Sequence, residues 1–471
     1  MSLLITVQQL ADVLGIDNTH RHLSTPMSIN DEVSVWRQPV TAIETDSRKL
    51  QAGHVFLALT GDTFDGHNFV AQAIQQGAIA AIVSQSKMAE LQAVDDIHAP
   101  LLAVPDPLTA YQAIATWWRH QCDPKVVAIT GSVGKTTTKE LIAALLSKHG
   151  HVLKTRANYN NEIGVPKTLL ELQVDHDYAV IEMGMRAEGE IALLTDVAQP
   201  DIAVITNVGT AHIGRLGSEE AIAHAKCELL GHLSPSGIAI LNADNALLMD
   251  TAQRVWSGKT ITFGLDSGDV QGRVLDENTL LVQDKRLPLP LAGRHNALNY
   301  LAAIAVAQVL ELDWTELSEG LNVELPSGRA QRHVLPNDIV ILDETYNAGV
   351  ESMTAALQLL ANTPGKRHIA VLGTMKELGD RSIDLHIRVG QIAATLKLDQ
   401  LLILADPAER LALEEGAKGI SSKCFDDQDT LIQYLHAFIR PGDRLLFKAS
   451  RAVALDQAIA RIRDALTTPI A

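Results

Sequence analysis

The sequence has few cysteines, no long apolar run and no basic leader, and each shortage excludes a class of protein. Its three cysteines, Cys122, Cys227 and Cys424, are too scattered for a disulfide framework or a metal knuckle. No apolar run approaches the roughly 20 residues that span a bilayer. The opening segment MSLLITVQQLADVLG lacks the basic region and cleavage site of a secretion signal and predicts a short amphipathic helix. A reducing cytoplasm is therefore the expected location.

Positive charge is also scarce. The chain has 39 Lys and Arg against 56 Asp and Glu, a formal net charge of −17. Such a protein repels nucleic acid and anionic membranes, so neither is expected as a partner. If the substrates are nucleotides and carboxylates, the positive charges and helix N-termini must be gathered locally. The 46% apolar and 20% charged residues are typical of a globular protein, and 471 residues predict two to four domains.

What is present is a repeated alternation of strand-like and helix-like segments, which predicts an α/β protein. Three predicted domains span residues 1–105, 106–326 and 327–471. The central one alternates strand and helix most clearly, which favours a mostly parallel sheet with helices on both faces. Residues 259–291 are turn-rich and predict antiparallel hairpins at the edge of that sheet. The last domain predicts a second open sheet of Rossmann type.

The most specific local pattern is VVAITGSVGKTTTKELIAALL, residues 126–146. An apolar strand runs into the glycine-rich turn Gly131–Thr136, and a helical apolar repeat follows. Such a turn surrounds a polyphosphate with backbone N–H groups at the positive end of a helix. Lys135 can reach the outer phosphates, and the Thr136 hydroxyl can bind magnesium. Ile129 replaces the usual first glycine, so a plain glycine turn before a basic helix start is the alternative interpretation.

A phosphate loop does not by itself specify what happens to the nucleotide. The Asn-Lys-x-Asp tetrad by which GTPases select guanine is absent from the chain. A switch or motor NTPase therefore stays open but has little support.

Two polar side chains follow strands of the central domain. Glu182 ends the strand at 179–182, and His212 lies five residues after Asn207, where the strand at 202–207 ends. Ligands of open α/β sheets collect at the carboxyl ends of strands, so both are expected near the phosphate loop. A carboxylate suits magnesium. A histidine is a less usual ligand for that ion, and a structural hydrogen bond is the alternative role of His212.

Lys226 lies on the apolar face of a predicted helix. It shares that face with Ile222, Leu229, Leu230 and Leu233 by helical spacing. Either the lysine extends its amine to water, or the amine is buried and shifted toward the neutral form. Carbon dioxide would convert a neutral amine to a carbamate, an anion that can bind metal.

Together these segments resemble the Mur ligases along essentially the whole chain. The motifs that carry the resemblance are TGSVGKTTTKE (130–140), NYNNEIGVPKTLLEL (158–172), IEMGMRAEGEI (181–191), ITNVGTAHIGRLGSEEAIAHAKCEL (205–229), AGRHNALNYLAAIA (292–305), PSGRAQR (326–332), DETYNAGVESMTAAL (343–357) and KASRAVALD (448–456). Several matched motifs in order are far more specific than any one of them.

Within the family, the pattern looks like the members that add D-alanyl-D-alanine to UDP-N-acetylmuramoyl-tripeptide. NYNNEIGVP, IEMGM, DETYNA and the DSRK…FLALTGDTFDGHNF pairing (46–69) carry this closer likeness. The Asp-Asn-Pro-Arg motif of members that add the third amino acid does not occur. Two departures concern loops: Gly349 and Val350 stand where the family usually has Asn-Pro, and Ala449 stands where it usually has glycine.

The resemblance implies a three-domain α/β fold: a small UDP-binding domain, a central P-loop ATPase domain with a parallel sheet, and a C-terminal Rossmann-like domain. It implies an ADP-forming amide ligase that uses ATP and Mg²⁺, acts through an acyl phosphate and works as a monomer. The pathway would be peptidoglycan synthesis, hence cell wall biogenesis, cell shape and division. Another Mur or folylpolyglutamate-type amino-acid ligase is the alternative enzyme, and a P-loop switch is the alternative from another class.

The resemblance also implies the residues of the site, grouped here by role. The ATP-binding residues would be Thr130, Gly131, Ser132, Val133, Gly134, Lys135, Thr136, Thr137, Asn296, Asn299, Arg329 and Asp343. The metal ligands would be Thr136, Glu182, His212 and a carbamylated Lys226. The catalytic residues would be Lys135, Glu182, His212, Lys226 and Arg329. The substrate-binding residues would be Ser47, Arg48, Asn160, Asn161, Tyr346, Asn347, Lys448 and Arg451.

Some of these residues have simpler interpretations. Asn296 and Asn299 could merely start a helix, where asparagine is common, and Arg329 could be a surface charge between domains. Asp343 ends a buried strand, where an acid needs a partner, so a binding role is favoured. Lys448 and Arg451 flank a strand-to-helix turn suited to an anion.

Overall fold

The computed structural model describes residues 5–16, 21–22, 34–94 and 96–467. The first four residues of the predicted N-terminal helix lie outside this range, and the described helix there begins at Val7. No helix within the described residues is both long and apolar enough to cross a bilayer.

The strands and helices have the following bounds. The strands are β1 (Ile5–Thr6), β2 (Arg21–His22), β3 (Pro39–Val40), β4 (Ala42–Glu44), β5 (His54–Leu57), β6 (Ala80–Ser84), β7 (Leu101–Val104), β8 (Lys125–Thr130), β9 (Val152–Lys154), β10 (Tyr178–Glu182), β11 (Ile202–Ile205), β12 (Ile238–Asn242), β13 (Lys259–Gly264), β14 (Val270–Asp276), β15 (Thr279–Val282), β16 (Lys285–Pro288), β17 (Gln331–Leu335), β18 (Ile339–Asp343), β19 (Arg367–Gly373), β20 (Gln400–Leu404), β21 (Ser422–Cys424) and β22 (Asp443–Lys448). The α-helices are α1 (Val7–Val13), α2 (Val70–Gln75), α3 (Met88–Gln92), α4 (Pro107–Cys122), α5 (Lys135–Leu146), α6 (Gly164–Leu169), α7 (Glu190–Ala198), α8 (Ile213–Leu216), α9 (Glu219–Gly231), α10 (Ala246–Val255), α11 (Arg294–Val309), α12 (Val350–Asn362), α13 (Ser382–Thr395), α14 (Pro407–Gly416), α15 (Gln428–Phe438) and α16 (Leu455–Thr467).

These elements form two compact units built from interleaved segments. The first unit contains the described residues up to Ala128, then Gly150–Met183 and Leu193–Asp201. The second contains Ile129–His149, Gly184–Ala192 and the described residues from Ile202 onward. The domain limits predicted from the sequence, at residues 105 and 326, stay predictions.

A five-stranded sheet is the centre of the first unit. Its strand order is β2-β7-β6-β5-β4, and all neighbours are parallel except β2, which runs antiparallel to β7. The sheet is apolar because β6 and β7 consist almost entirely of buried residues, and Phe56 and Val70 belong to the core that packs on it. A 3₁₀ turn, Gly66–Phe69, immediately precedes α2.

Helix α4 begins with a capping aspartate followed by a proline. The Asp106 carboxylate accepts hydrogen bonds from the backbone N–H groups of Leu108 and Thr109, and Pro107 occupies the first helical turn, where its missing N–H has no cost. The helix ends at Asp123, which is left-handed with φ 47°.

Strand β8 carries the chain from the first unit into the second. Its residues 125–128 belong to the first unit, and Ile129 and Thr130 belong to the second. Val126, Val127, Ala128 and Ile129 are fully buried in it, as the continuous apolar run predicts for a strand covered on both faces.

Strands β11 to β16 form a consecutive series in the second unit. The pairs β11–β12, β12–β13 and β13–β14 are parallel. The pairs β14–β15 and β15–β16 are antiparallel. The prediction that all of residues 259–291 form antiparallel hairpins is therefore wrong for β13. Its physical reason is α10, which returns the chain before β13 so that this strand runs parallel to β12.

The second unit also contains the six-stranded sheet of the C-terminal region. Its order is β17-β18-β22-β19-β20-β21, with the edge strand β17 antiparallel to β18 and all other pairs parallel. Ile341, Val371 and Phe447 lie in its fully buried core. The predicted open α/β sheet of Rossmann type is confirmed.

Candidate active site

The predicted phosphate loop forms a turn between β8 and α5. Gly134 precedes the helix with φ 87°, and Gly131 has φ 152°, backbone angles that glycine adopts with least strain. A Cβ on Gly134 would lie 2.5 Å from Oδ1 of Asn299. The loop can therefore curl at the N-terminus of α5 only with glycine at this position, and Asn299 is its neighbour.

The loop that follows β11 holds the phosphate loop in place. The Val133 N–H donates to Asn207 Oδ1 at 3.0 Å, and Asn207 Nδ2 donates back to the Val133 carbonyl at 3.0 Å. The Ser132 N–H donates to the Asn207 carbonyl at 3.0 Å. These bonds fix the backbone, which leaves the turn preorganised for an anion.

Three predicted site residues, Lys135, His212 and Lys226, interact with one another beside this loop. The Lys135 ammonium donates to the Gly131 carbonyl at 2.7 Å. Burial, and next the positive charge of Lys135, lower the pKa of both His212 and Lys226. Lys226 is only 1% exposed, so the alternative that its amine reaches water is wrong. Its pKa lies well below the ordinary value, which favours the neutral amine.

Glu182, Asn160 and Asn161 belong to the first unit. Glu182 is 3% exposed and accepts from Asn160 Nδ2 at 2.8 Å, so two predicted site residues are directly bonded. The Asn161 side chain accepts from the Gly164 N–H at 2.9 Å, which stabilises the start of α6.

Ser47 and Arg48 lie in a 3₁₀ turn of the first unit, capped by Asp46. The Arg48 guanidinium donates from Nε and Nη2 to the two carboxylate oxygens of Asp46, at 2.8 and 2.9 Å. The Arg48 hydrogen bond is the largest cause that lowers the pKa of Asp46, to about 2. The guanidinium is thus held in a defined orientation at an exposed position.

Asn296 and Asn299 lie in α11, where both are buried. Asn299 Oδ1 accepts from the Thr138 hydroxyl of α5 at 3.2 Å, and Asn296 Nδ2 donates to the Ala292 carbonyl at 2.8 Å. Neither asparagine caps the helix, because the cap position is Gly293. The interpretation of the two residues as a helix start is therefore wrong.

A second group of predicted residues gathers at the carboxyl edge of the C-terminal sheet. The Arg329 guanidinium stacks on the Tyr346 ring at 3.8 Å from its centroid, and Arg451 approaches the same ring at 6.0 Å. Asp343 Oδ1 accepts from the backbone N–H and the hydroxyl of Thr345, at 3.1 and 2.7 Å. Two cations thus lie over one aromatic ring, and the Asp343 carboxylate is held by the neighbouring Thr345.

Lys448 is buried beside this group. Its ammonium donates to the carbonyls of Asn347 and Glu344, at 2.8 and 3.3 Å. Burial lowers the pKa of Lys448 and raises the pKa of the neighbouring Glu344 carboxyl. Lys448 therefore holds the backbone of the tyrosine loop, and Arg451 is the more exposed of the two cations, 3.6 Å from Asp456.

The two departures from the family motifs are accommodated without strain. A side chain at Gly349 would meet no atom within 4 Å, so glycine is tolerated there but not required. Ala449 is fully buried, and a Cβ on Gly373 would approach the Ala449 Cβ to 2.8 Å.

Sequence reasoning missed two acidic residues that contact the loop carrying His212. Glu351 binds Thr210, and Glu377 Oε2 lies 2.7 Å from Nδ1 of His212. Both acids belong to the C-terminal region, and Glu351 lies within the 343–357 motif. Their contacts with the loop that carries His212 are long-range, and such contacts leave no periodic pattern in a sequence.

Oxygen donors for the implied magnesium are present among the predicted residues. Within the described ranges, no three His, Cys, Asp or Glu side chains cluster closely enough to hold a metal ion by themselves. Magnesium in nucleotide sites is commonly held by one or two protein oxygens together with phosphates and water. The Thr136 hydroxyl in the second unit and the buried Glu182 carboxylate in the first are each an oxygen donor of this kind.

Comparison with known proteins identifies the family. Three family models match in order: Mur ligase family, catalytic domain, over residues 39–118; Mur ligase middle domain over 129–307; and Mur ligase, glutamate ligase domain, over 328–451. They account for the three-domain α/β organisation.

Individual relatives cover nearly all of the chain. The UDP-N-acetylmuramoyl-tripeptide–D-alanyl-D-alanine ligase of Synechocystis is 57% identical over 423 residues, 90% of this chain and 92% of the relative. A MurF crystal structure from Acinetobacter baumannii superposes with a TM-score of 0.84 at 33% identity, covering 98% of each chain. MurF from Thermotoga maritima, solved with ADP, gives 0.79 at 30% identity, covering 90% of this chain and 97% of that one. From these matches, the chain belongs to the Mur ligase family, among its ATP-dependent peptide ligases of the UDP-N-acetylmuramoyl-tripeptide–D-alanyl-D-alanine group.

Proposed function

We propose that the chain joins D-alanyl-D-alanine to UDP-N-acetylmuramoyl-tripeptide with consumption of ATP. The peptide carboxylate takes the γ-phosphoryl group of ATP, which gives an acyl phosphate and ADP. The dipeptide amine then attacks the acyl carbon to form a tetrahedral intermediate, which expels phosphate and loses the amine proton. The product is the UDP-muramoyl-pentapeptide used in peptidoglycan synthesis. The 57% identity to the Synechocystis ligase supports this choice of substrates.

One observation carries the chemistry: Lys135, His212 and the fully buried Lys226 converge beside a preorganised phosphate loop. Transfer of a phosphoryl group to a carboxylate brings two anions together, so the site must supply positive charge. We assign the phosphates to the backbone of Gly131–Thr136 and the Lys135 ammonium. Asn296 and Asn299 are assigned to the adenine end, next to the loop that Asn299 contacts.

Lys226 is assigned as a carbamate in the working enzyme. Its neutral amine would attack carbon dioxide at carbon and release one proton, which leaves an N-linked carboxylate. This conversion replaces a buried neutral amine by an anion in a region where Lys135 supplies the opposite charge. The burial of Lys226 supports the assignment, because an uncharged amine is the reactive form.

We further assign Mg²⁺ to Thr136 and Glu182, with a second ion oriented by His212 and the Lys226 carbamate. When bound, the ion neutralises charge on the phosphates. Within the chain, Asn160 holds the Glu182 carboxylate in one orientation through its 2.8 Å hydrogen bond.

The remaining predicted residues are assigned to the dipeptide carboxylate, the ribose, the UDP group and the muramoyl peptide. Arg329 and Arg451 around Tyr346 suit the free carboxylate of the dipeptide or the transferred phosphate, while Asp343 suits the ribose. Lys448 and Asn347 shape that loop. In the first unit, Ser47 and the oriented Arg48 are assigned to the UDP end, and Asn161 to the muramoyl peptide.

The domain limits 1–105, 106–326 and 327–471 are part of the proposal, with UDP binding, ATP binding and amine binding in that order. A monomer in the cytoplasm completes it.

The test is phosphate release measured across UDP-muramoyl peptides crossed with amines, followed by mass analysis of the UDP-peptide. We expect turnover only with the tripeptide and D-alanyl-D-alanine together, and much weaker activity with D-alanine or L-alanyl-L-alanine. A site that pairs the carboxylate of the dipeptide leaves buried polar groups unmatched with a shorter amine, which discriminates strongly. A product longer by one residue would indicate a third-residue ligase, and phosphate release without the peptide would indicate an NTPase switch.

The Lys135→Ala variant tests the role assigned to the phosphate loop. Removing one charge-stabilising donor costs about 10²–10³ in kcat, and the fold should remain because Lys135 is not part of the core. Near-normal ligation by this variant would remove the phosphate-loop assignment.

A further inference from the structure

Glu351 of α12 is bonded to the loop between β11 and α8, which we call the histidine loop (Asn207–His212). The Glu351 carboxylate accepts from the Thr210 N–H at 2.7 Å and from the Thr210 hydroxyl at 3.2 Å. A Cβ on Gly209 would lie 2.6 Å from Cδ of Glu351. The carboxylate therefore sits against the backbone of the histidine loop, and glycine at position 209 makes the close approach possible.

The other side of the same loop is bonded to the phosphate loop. The Gly209 N–H donates to Ser132 Oγ at 2.9 Å, and the Ser132 hydroxyl donates to the Gly209 carbonyl at 3.3 Å. Asn207 binds the N–H and carbonyl of Val133. Two neighbouring residues, Gly209 and Thr210, thus connect the phosphate loop on one side to Glu351 on the other.

The histidine loop ends in a backbone conformation that needs support. His212 has φ 68°, a left-handed angle that is strained for a residue other than glycine. Thr210, which donates two hydrogen bonds to Glu351, lies two residues before His212. Glu351 itself lies in the first turn of α12, where the helix dipole favours a carboxylate.

We propose that Glu351 is a positioning residue for the ligase reaction, which fixes the histidine loop against the phosphate loop through Thr210. The proposal rests on the ligase activity of the family and on this hydrogen-bonded series, and it does not depend on the metal or substrate roles assigned above. Because Glu351 belongs to the C-terminal region and Ser132 to the phosphate loop, the contact links the placement of α12 to the geometry in which the phosphoryl group is transferred.

The experiment compares kcat and KM for each substrate, and the melting temperature, in Glu351→Ala, Glu351→Gln and Thr210→Val. Asp384→Ala is the matched control, since Asp384 is an exposed first-turn carboxylate of α13 in the same region. We expect Glu351→Ala to lose about 10- to 100-fold in kcat, as misplacement of a catalytic loop does, with a melting temperature close to that of the control. Glu351→Gln keeps an acceptor for the Thr210 N–H and should stay within about fivefold of the parent.

A double-mutant cycle decides between positioning and general stability. Thr210→Val should lower kcat in the parent but have no further effect in the Glu351→Ala background, because its partner is already absent. Additive effects, or a Glu351→Ala kcat within about twofold of the parent, would overturn the proposal. If the alanine variant does not fold, the same cycle is run with Glu351→Gln, where coupled effects support the proposal and independent effects overturn it. Any amine that sustains turnover serves for the measurement, so an error in the assigned amine would be seen separately.

Discussion

Two lysines of this chain are equally buried, and their surroundings separate their roles. Lys139 and Lys226 are each 1% exposed. Lys139 lies 3.0 Å from the Glu140 carboxylate, so its charge is balanced by a neighbouring acid. Lys226 instead lies close enough to Lys135 for that cation to lower its pKa further. A structural ion pair explains the first lysine, and the second is the one that we propose forms a carbamate.

The carbamate assignment predicts a dependence on carbon dioxide. Activity should fall in carbon-dioxide-depleted buffer and recover with bicarbonate, because only the modified Lys226 carries the anion. Lys226→Ala should be nearly inactive and should regain part of its rate from short carboxylic acids added at high concentration. Lys226→Arg keeps the cation and should stay inactive.

The control for this prediction is Lys139→Ala. That variant removes an equally buried amine, yet carboxylic acids should not restore its activity, since no anion is missing there. Full activity of Lys226→Arg, or equal rescue of the two alanine variants, would show that Lys226 has only a packing role.

At the scale of elements, the turn from β8 into α5 depends on one glycine. Gly134→Ala should lower both the ligase rate and the melting temperature, because alanine at φ 87° is strained and its Cβ would contact Asn299 Oδ1 at 2.5 Å. Left-handed strain alone costs of order 1–3 kcal/mol. Thermal unfolding and kcat of the purified variant measure the two effects.

The Gly189→Ala variant is the control that separates backbone strain from the contact with Asn299. Gly189 has a similar φ of 85°, but an added Cβ there meets no atom within 4 Å. We expect this variant to lose stability to backbone strain while it keeps its activity. If Gly134→Ala were no worse than Gly189→Ala in either measurement, the contact with Asn299 would have no functional weight.

The sequence was sufficient for elements whose pattern is local. The apolar run of β8, the glycine turn and the helical repeat of α5 predicted the phosphate loop, because each depends on neighbouring residues. The orientation of β13 was mispredicted, since strand direction depends on the crossover helix α10 and on pairing with β12. The turn residues around β13 resemble those of a hairpin, and a local pattern cannot distinguish a hairpin from a parallel strand that follows a crossover helix.

The same distinction applies to the site. Lys226 was identified because it interrupts an apolar helical face, but its burial could only be established in three dimensions. Glu351 gave no such indication, since an acid in the first turn of a helix is ordinary. Its partner Thr210 lies 141 positions away along the chain, and only the fold brings the two together.

At the scale of the whole molecule, the net charge of −17 favours separate chains, because like charges repel on approach. We therefore expect a monomer of 50.9 kDa in light scattering at moderate salt, with a mass independent of protein concentration. A mass of twice this value that persists on dilution would contradict the monomer and would require the site to be reconsidered as part of a dimer.

The interleaving of the two compact units affects how the protein is made. The chain passes between them five times, after Ala128, His149, Met183, Ala192 and Asp201. A ribosome that has released the sequence as far as Asp201 has supplied the whole first unit, but also the phosphate loop and α5, whose own unit waits for the remaining residues. During that interval α11, the helix that packs against α5, has not been made, so nascent chains stalled there should be sensitive to aggregation and to protease. Synthesis from the N-terminus thus finishes the first unit while α5 still lacks its helical partner.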